Sequence, residues 1–98
     1  MKIYDKADWQ IDGGVSKQTV IKHFKLVFEW LKDHHYLNND GLEVLELNDF
    51  ANVSLNDSLL TKEGNAFMSR YYDKLIKEVP YGDESIPTRL DAIYTSQG

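Results

Sequence analysis

The sequence contains no cysteine. That removes disulfides, thiolate nucleophiles and cysteine-based zinc sites together, and it makes the cytosol the expected compartment. Proline occurs only at Pro80 and Pro87, so no proline-rich linker divides the chain. No apolar run approaches the roughly 20 residues that span a bilayer. Met1-Lys2-Ile3-Tyr4-Asp5 carries charge at once, so neither a membrane span nor a signal peptide is expected. Positive charge is also missing where it would matter most. Between Lys32 and Lys62 there is no Lys or Arg, while Asp33, Asp40, Glu43, Glu46, Asp49 and Asp57 all fall there. Residues 1–36 sum to +1 and residues 37–98 to -6, for a net charge of -5. Such a surface repels phosphate backbones and suits a basic partner.

What is present describes one small domain, residues 1–98. A mass of 11.4 kDa scales to roughly 16,500 Å² unfolded and about 5,800 Å² folded, enough burial for one core. Hydrophobic residues make up 42% and aromatics 12%, a globular composition. The expected fold is mainly α, with α+β as the alternative. Asp12-Gly13-Gly14 marks a turn that needs a positive φ. A long central helix is predicted over 16–36, with Ser16 as N-cap, Thr19 at N3, and Val15 and Val20 placed as a hydrophobic staple. Val20, Ile21, Phe24, Val27, Phe28 and Leu31 fall in one arc, widened by His23, Leu26, Trp30, His34 and Leu37. A helix apolar over so much of its circumference is covered from several sides. Asn38-Asn39-Asp40-Gly41 reads as the turn that ends it. Residues 42–47 read equally as a short strand or a helical turn, a β element is allowed near 42–55, and the Asn, Asp and Ser of 48–58 predict a loop. Asn52 and Asn56 begin Asn-x-Ser sequons, which are inert in a cytosolic protein. A second helix is predicted over 62–78, with Thr61 as N-cap, Gly64 allowing a close approach, and Pro80 ending it. A last short helix is predicted through Ile93 with Pro87 at its first position, and 95–98 reads as a frayed tail.

The chemistry that such a chain can hold is limited. His23 and His34 lie about 16 Å apart along one helix, so they cannot share a metal ion, and adjacent His34 and His35 diverge. His23 reads as a core-edge histidine pairing with an acid or a carbonyl. Asp8, Gln10, Asp12 and Gly13 fit a calcium loop loosely, but Thr19 stands where a bidentate Glu is needed. No glycine-rich phosphate loop and no Gly-x-Ser-x-Gly elbow occurs, so no cofactor, metal or nucleophile is expected. Leu60-Thr61-x-Glu63-Gly64 is a phrase also met in winged-helix DNA-binding modules, but a pI near 5.0 lacks the basic footprint, and nucleic acid is not an expected partner. Trp9 sits in a polar segment, either as a lid across the first helix or as an exposed anchor for a partner.

Three phrases together resemble a family. They are Tyr4-Asp5-x-x-Asp8-Trp9 followed by Gly13-Gly14, a helix with His23 early and Trp30-Leu31 later, and Leu60-Thr61-x-Glu63-Gly64-Asn65-Ala66-Phe67 running on to Tyr71-Tyr72-Asp73. The set is similar to a group of small uncharacterised bacterial proteins, classed only as a domain of unknown function. Gln10 stands where that group usually has His, and its Pro-rich insert is missing here. The resemblance implies no activity. In broad look it is similar to bacterial immunity and accessory proteins that act by binding another protein.

These readings give a leading expectation of a non-enzymatic cytosolic domain that binds another protein, a basic one, through Trp9, Asp40, Glu43, Glu46 and Asp49. The competitor is a small-molecule-binding or hydrolytic domain built on His23 and Trp9 with Asp12 or Asp73. The leftover apolar arc of the first helix suits a homodimer.

Overall fold

In the computed structural model, which describes residues 1–96, the element order is β1 (Ile3–Lys6), α1 (Ala7–Asp12), α2 (Lys17–Asp33), α3 (Asn39–Leu47), β2 (Ser54–Asn56), a 3-10 turn (Asp57–Leu59), α4 (Lys62–Glu78) and α5 (Ile86–Ser96). The fold is mainly helical with one small antiparallel sheet. Its folded surface is 5808 Å², as the mass alone implied.

α2 starts where the sequence places it. Ser16 is extended, and its Oγ accepts the Thr19 N–H at 3.2 Å. Val20, His23, Phe24, Val27, Phe28, Trp30 and Leu31 are all buried, so the wide apolar arc is covered on several sides. The helix ends at Asp33, three residues short of the predicted limit. His34 caps it and His35 takes φ 59, which turns the chain out of the helix. Leu37 then bridges to Leu60, and the Thr61 N–H donates to the Tyr36 carbonyl at 2.9 Å.

α4 has the predicted boundaries. The Thr61 Oγ1 accepts the Gly64 N–H at 3.1 Å, and the helix runs to Glu78 before Pro80. Gly64 does permit a close approach, to the backbone of Tyr36: a Cβ there would stand 2.5 Å from the Tyr36 carbonyl oxygen.

Residues 38–59 differ most from the sequence reading. Asn38-Asn39-Asp40-Gly41 starts a helix; it does not merely end one. The Asn38 Oδ1 accepts the Gly41 N–H at 2.9 Å, and its Nδ2 donates to the Ser58 carbonyl at 2.8 Å. Gly41 serves packing, since a Cβ there would lie 2.3 Å from the Leu59 carbonyl oxygen. Residues 42–47 are therefore helical. The predicted loop 48–58 contains β2 and most of the 3-10 turn. β2 pairs with β1, Ile3 opposite Asn56 and Lys6 opposite Ser54, and the segment 1–14 supplies β1 and α1 where the sequence suggested only a turn.

α5 runs beyond Ile93 to Ser96, with Pro87 as its second residue. Of the tail predicted as frayed, Thr95 and Ser96 are helical, and residues 97–98 lie outside the described ones. Among the described residues, no helix is long and apolar enough to cross a membrane.

Candidate functional site

The charged segment and a surface groove coincide on α3. At about 100° per residue, Gly41 and Leu45 fall on one side of this helix, and Asp40, Glu43, Val44 and Leu47 on the other. The first side meets the core: Gly41 rests on Leu59, and Leu45 packs against buried side chains. Along the second, Val44 and Leu47 line a groove of about 270 Å³ with Val53, Ser54, Asn56 and Leu59. Leu47 is 72% exposed.

Asn48 closes α3 in the left-handed region, and the chain turns back so that Phe50 is buried against Phe28 at 5.5 Å between ring centroids. That anchor sets Asp49 on the groove wall, where the Asn52 amide donates to its carboxylate at 3.1 and 3.2 Å. Asp40, Glu43 and Glu46 are exposed on α3. Among the described residues, none of these four acids pairs with a cation.

Of the four acids only Asp49 lines the groove; Asp40, Glu43 and Glu46 lie exposed along the α3 that supplies Val44 and Leu47 to it. Trp9 is not part of it. It stands 52% exposed on α1, so it is no buried lid over α2 and does not line the groove.

A second feature lies inside. Asp5 is 2% exposed, and its carboxylate has four donors. Oδ1 accepts from the Lys6 N–H at 2.8 Å and the Gln10 amide at 3.1 Å. Oδ2 accepts from the Tyr72 hydroxyl at 2.6 Å and from the Tyr81 hydroxyl. His23, 1% exposed, lies within 2.9 Å of the Tyr72 hydroxyl through Nε2. Its Nδ1 accepts the Gly82 N–H at 3.1 Å. That bond fixes the tautomer: Nδ1 is bare, so the ring proton sits on Nε2 and is donated to Tyr72.

Burial lowers the His23 pKa to about 4, against the opposing pull of the Asp5 charge. Burial also raises the Tyr72 and Tyr81 hydroxyls, with Asp5 adding to both. The ring is therefore neutral at pH 7 with both nitrogens occupied. Sequence reasoning paired His23 with an acid or a carbonyl; its partners are a hydroxyl and a backbone amide, with an acid one step beyond. That acid is Asp5, whereas Asp12 and Asp73 are exposed elsewhere.

Outside this cluster, Tyr81 and Gly82 line a depression of about 460 Å³ with Thr19, Lys22, Pro80, Asp83 and Glu84. Lys22 and Glu84 pair across it at 3.1 Å. His34 packs on Trp30 with centroids 4.0 Å apart and planes tilted by 31°, and its Nε2 lies 3.5 Å from the Asp91 carboxylate, which accepts the Trp30 indole N–H at 2.8 Å.

No family model, curated protein or solved structure matches this chain.

Proposed function

We propose that this chain is a non-enzymatic protein-binding domain whose α3 groove receives a basic segment of another protein. The observation that carries this reading is the groove of Val44, Leu47, Val53 and Leu59, walled by Asp49 and carried on a helix whose Asp40, Glu43 and Glu46 are exposed, with no cation paired to any of the four among the described residues. A groove of this size holds one or two side chains. Burying one Leu- or Ile-sized anchor contributes about 2 kcal/mol. The surrounding acids contribute mainly orientation and association rate, and they disfavour acidic partners. The competing reading, a ligand or reaction at His23, requires an accessible imidazole, and His23 has neither exposure nor a free nitrogen.

The test is affinity capture from the native host with three baits: the wild type, D40N/E43Q/E46Q/D49N, and Leu47→Asp. One stoichiometric basic protein should be retained by the wild type and lost by both variants. Its purified complex should weaken steeply as salt rises. Equal retention on all three baits means that the acids only solubilise this face and the reading fails.

A further inference from the structure

The buried chain from Asp5 through Tyr72 to His23 meets the surface at the turn that joins α4 to α5. Val79 and Ile86, both buried, bracket this turn, and Pro80, Glu84 and Ser85 between them are exposed. Two residues point inward. Gly82 donates its N–H to His23 Nδ1, and Tyr81 stacks on the imidazole with centroids 3.6 Å apart and planes 13° apart. Gly82 has φ 70, and a Cβ there would stand 2.8 Å from the Thr19 carbonyl oxygen, so the turn is fitted closely to α2.

The inner face of this turn therefore reads the protonation state of one ring. The Gly82 N–H can donate to Nδ1 only while that nitrogen is bare. An imidazolium places a second N–H against the first, and the bond is lost. The titratable groups facing the ring are Tyr72 from α4, Tyr81 from the turn and, behind their hydroxyls, Asp5 from β1; α1 adds only the neutral Gln10. Asp5, whose charge favours the imidazolium, lies beyond Tyr72 on the Nε2 side and cannot accept from Nδ1.

We propose that residues 80–85 form an acid-released latch: a proton taken up by His23 expels Gly82 and Tyr81 from the core and opens the His23–Tyr72–Asp5 cluster to solvent. The direction is set by solvation. A ring freed to water titrates near its ordinary 6.5, against about 4 when enclosed, so at pH 4.5 the open state gains roughly seventy-fold over the closed one.

Amide hydrogen exchange on the full chain, followed by NMR and corrected for intrinsic rates, tests this. Between pH 7 and 4.5 protection at Gly82 should fall at least tenfold while Leu31 and Leu75 keep theirs. His23→Asn should hold Gly82 protected at both pH values, because its Oδ1 accepts the same N–H and does not titrate. Should that variant fail to fold, the wild type decides: the His23 ring signals must titrate with the same midpoint as those of Tyr81 and Gly82. The latch is overturned if Gly82 stays protected after His23 is protonated, if it loses protection only together with Leu31, or if a folded His23→Asn loses it equally in acid.

Discussion

Acidification should weaken this protein through one residue, His23. Its folded-state pKa of about 4 lies below the ordinary 6.5 that the ring regains on unfolding. The unfolded chain therefore takes the proton first as pH falls. Stability is complete above pH 6.5, is lost progressively between 6.5 and 4, and changes no further through this group below 4. Each pH unit in that window removes about 1.4 kcal/mol, so the loss reaches about 2 kcal/mol at pH 5 and about 3 kcal/mol in full. A domain of this size has roughly 5–15 kcal/mol to lose. Carboxylates titrate in the same range, so the difference between the wild type and His23→Asn isolates the ring. Asn removes part of a buried ring, and His23→Asn should begin about 1–3 kcal/mol less stable at pH 7.5. As pH falls, the wild-type advantage should shrink and its urea midpoint should move towards that of the variant by about 1 M, for an m-value near 2 kcal/mol/M. If the turn at 80–85 releases before the core unfolds, the loss levels off at the free energy of that release. Midpoints that stay parallel from pH 7.5 to 4.5 would refute the reasoning, because His23 would then titrate alike in both states.

The hydroxyl of Tyr72 serves two buried groups at once, donating to Asp5 and accepting from His23. Tyr72→Phe keeps the ring volume but leaves the His23 Nε2–H without its acceptor and takes one of four donors from Asp5, and should destabilise by about 3 kcal/mol in urea unfolding. Tyr71→Phe, partly exposed one residue away, should stay within about 0.5 kcal/mol; equal losses would mean that the network contributes nothing. Gly41→Ala and Gly64→Ala set two effects against each other. Helix propensity favours Ala by about 1 kcal/mol. Against it, the new Cβ would stand 2.3 Å from the Leu59 carbonyl oxygen in one variant and 2.5 Å from that of Tyr36 in the other. Both contacts are with backbone, which yields little, so overpacking wins and each variant should melt about 10 °C lower. An unchanged or raised Tm would show that the backbone gives way.

The helices were legible where local chemistry and periodicity agreed. Ser16 and Thr61 each cap a helix whose buried stripe repeats at helical spacing, and both starts fell where the sequence put them. The segment around Gly41 was misread because one residue type serves two purposes. A glycine after Asn-Asn-Asp suits a turn, yet here it lets α3 lie against the Leu59 carbonyl, a contact with a residue 18 positions away. The sheet was hidden for another reason. β2 has three residues and β1 four, too few for alternation to register, and what joins them is pairing between segments half the chain apart. The end of α2 depended on His35 adopting a positive φ, which no property of histidine requires.

The two candidate regions divide along the same line. Asp40, Glu43, Glu46 and Asp49 are exposed, and an exposed charge keeps in the fold the meaning it has in the sequence, so their crowding along the chain was readable from the missing Lys and Arg. The groove beside Asp49 was not, because its walls come from α3, β2 and the 3-10 turn together. Asp5 shows the opposite case. In Tyr4-Asp5-Lys6 it counts as one more solvated acid, and nothing nearby marks it as buried. Its side-chain donors lie 5, 67 and 76 residues away. An apolar side chain at that depth is satisfied by many packings of similar density. A buried carboxylate is satisfied only where its donors converge, and leaving it short costs more than the bonds return. Asp5 therefore ties β1, α1, α4 and the turn at 80–85 to one mutual arrangement, and it is the same arrangement that makes His23 the point where a proton can undo it.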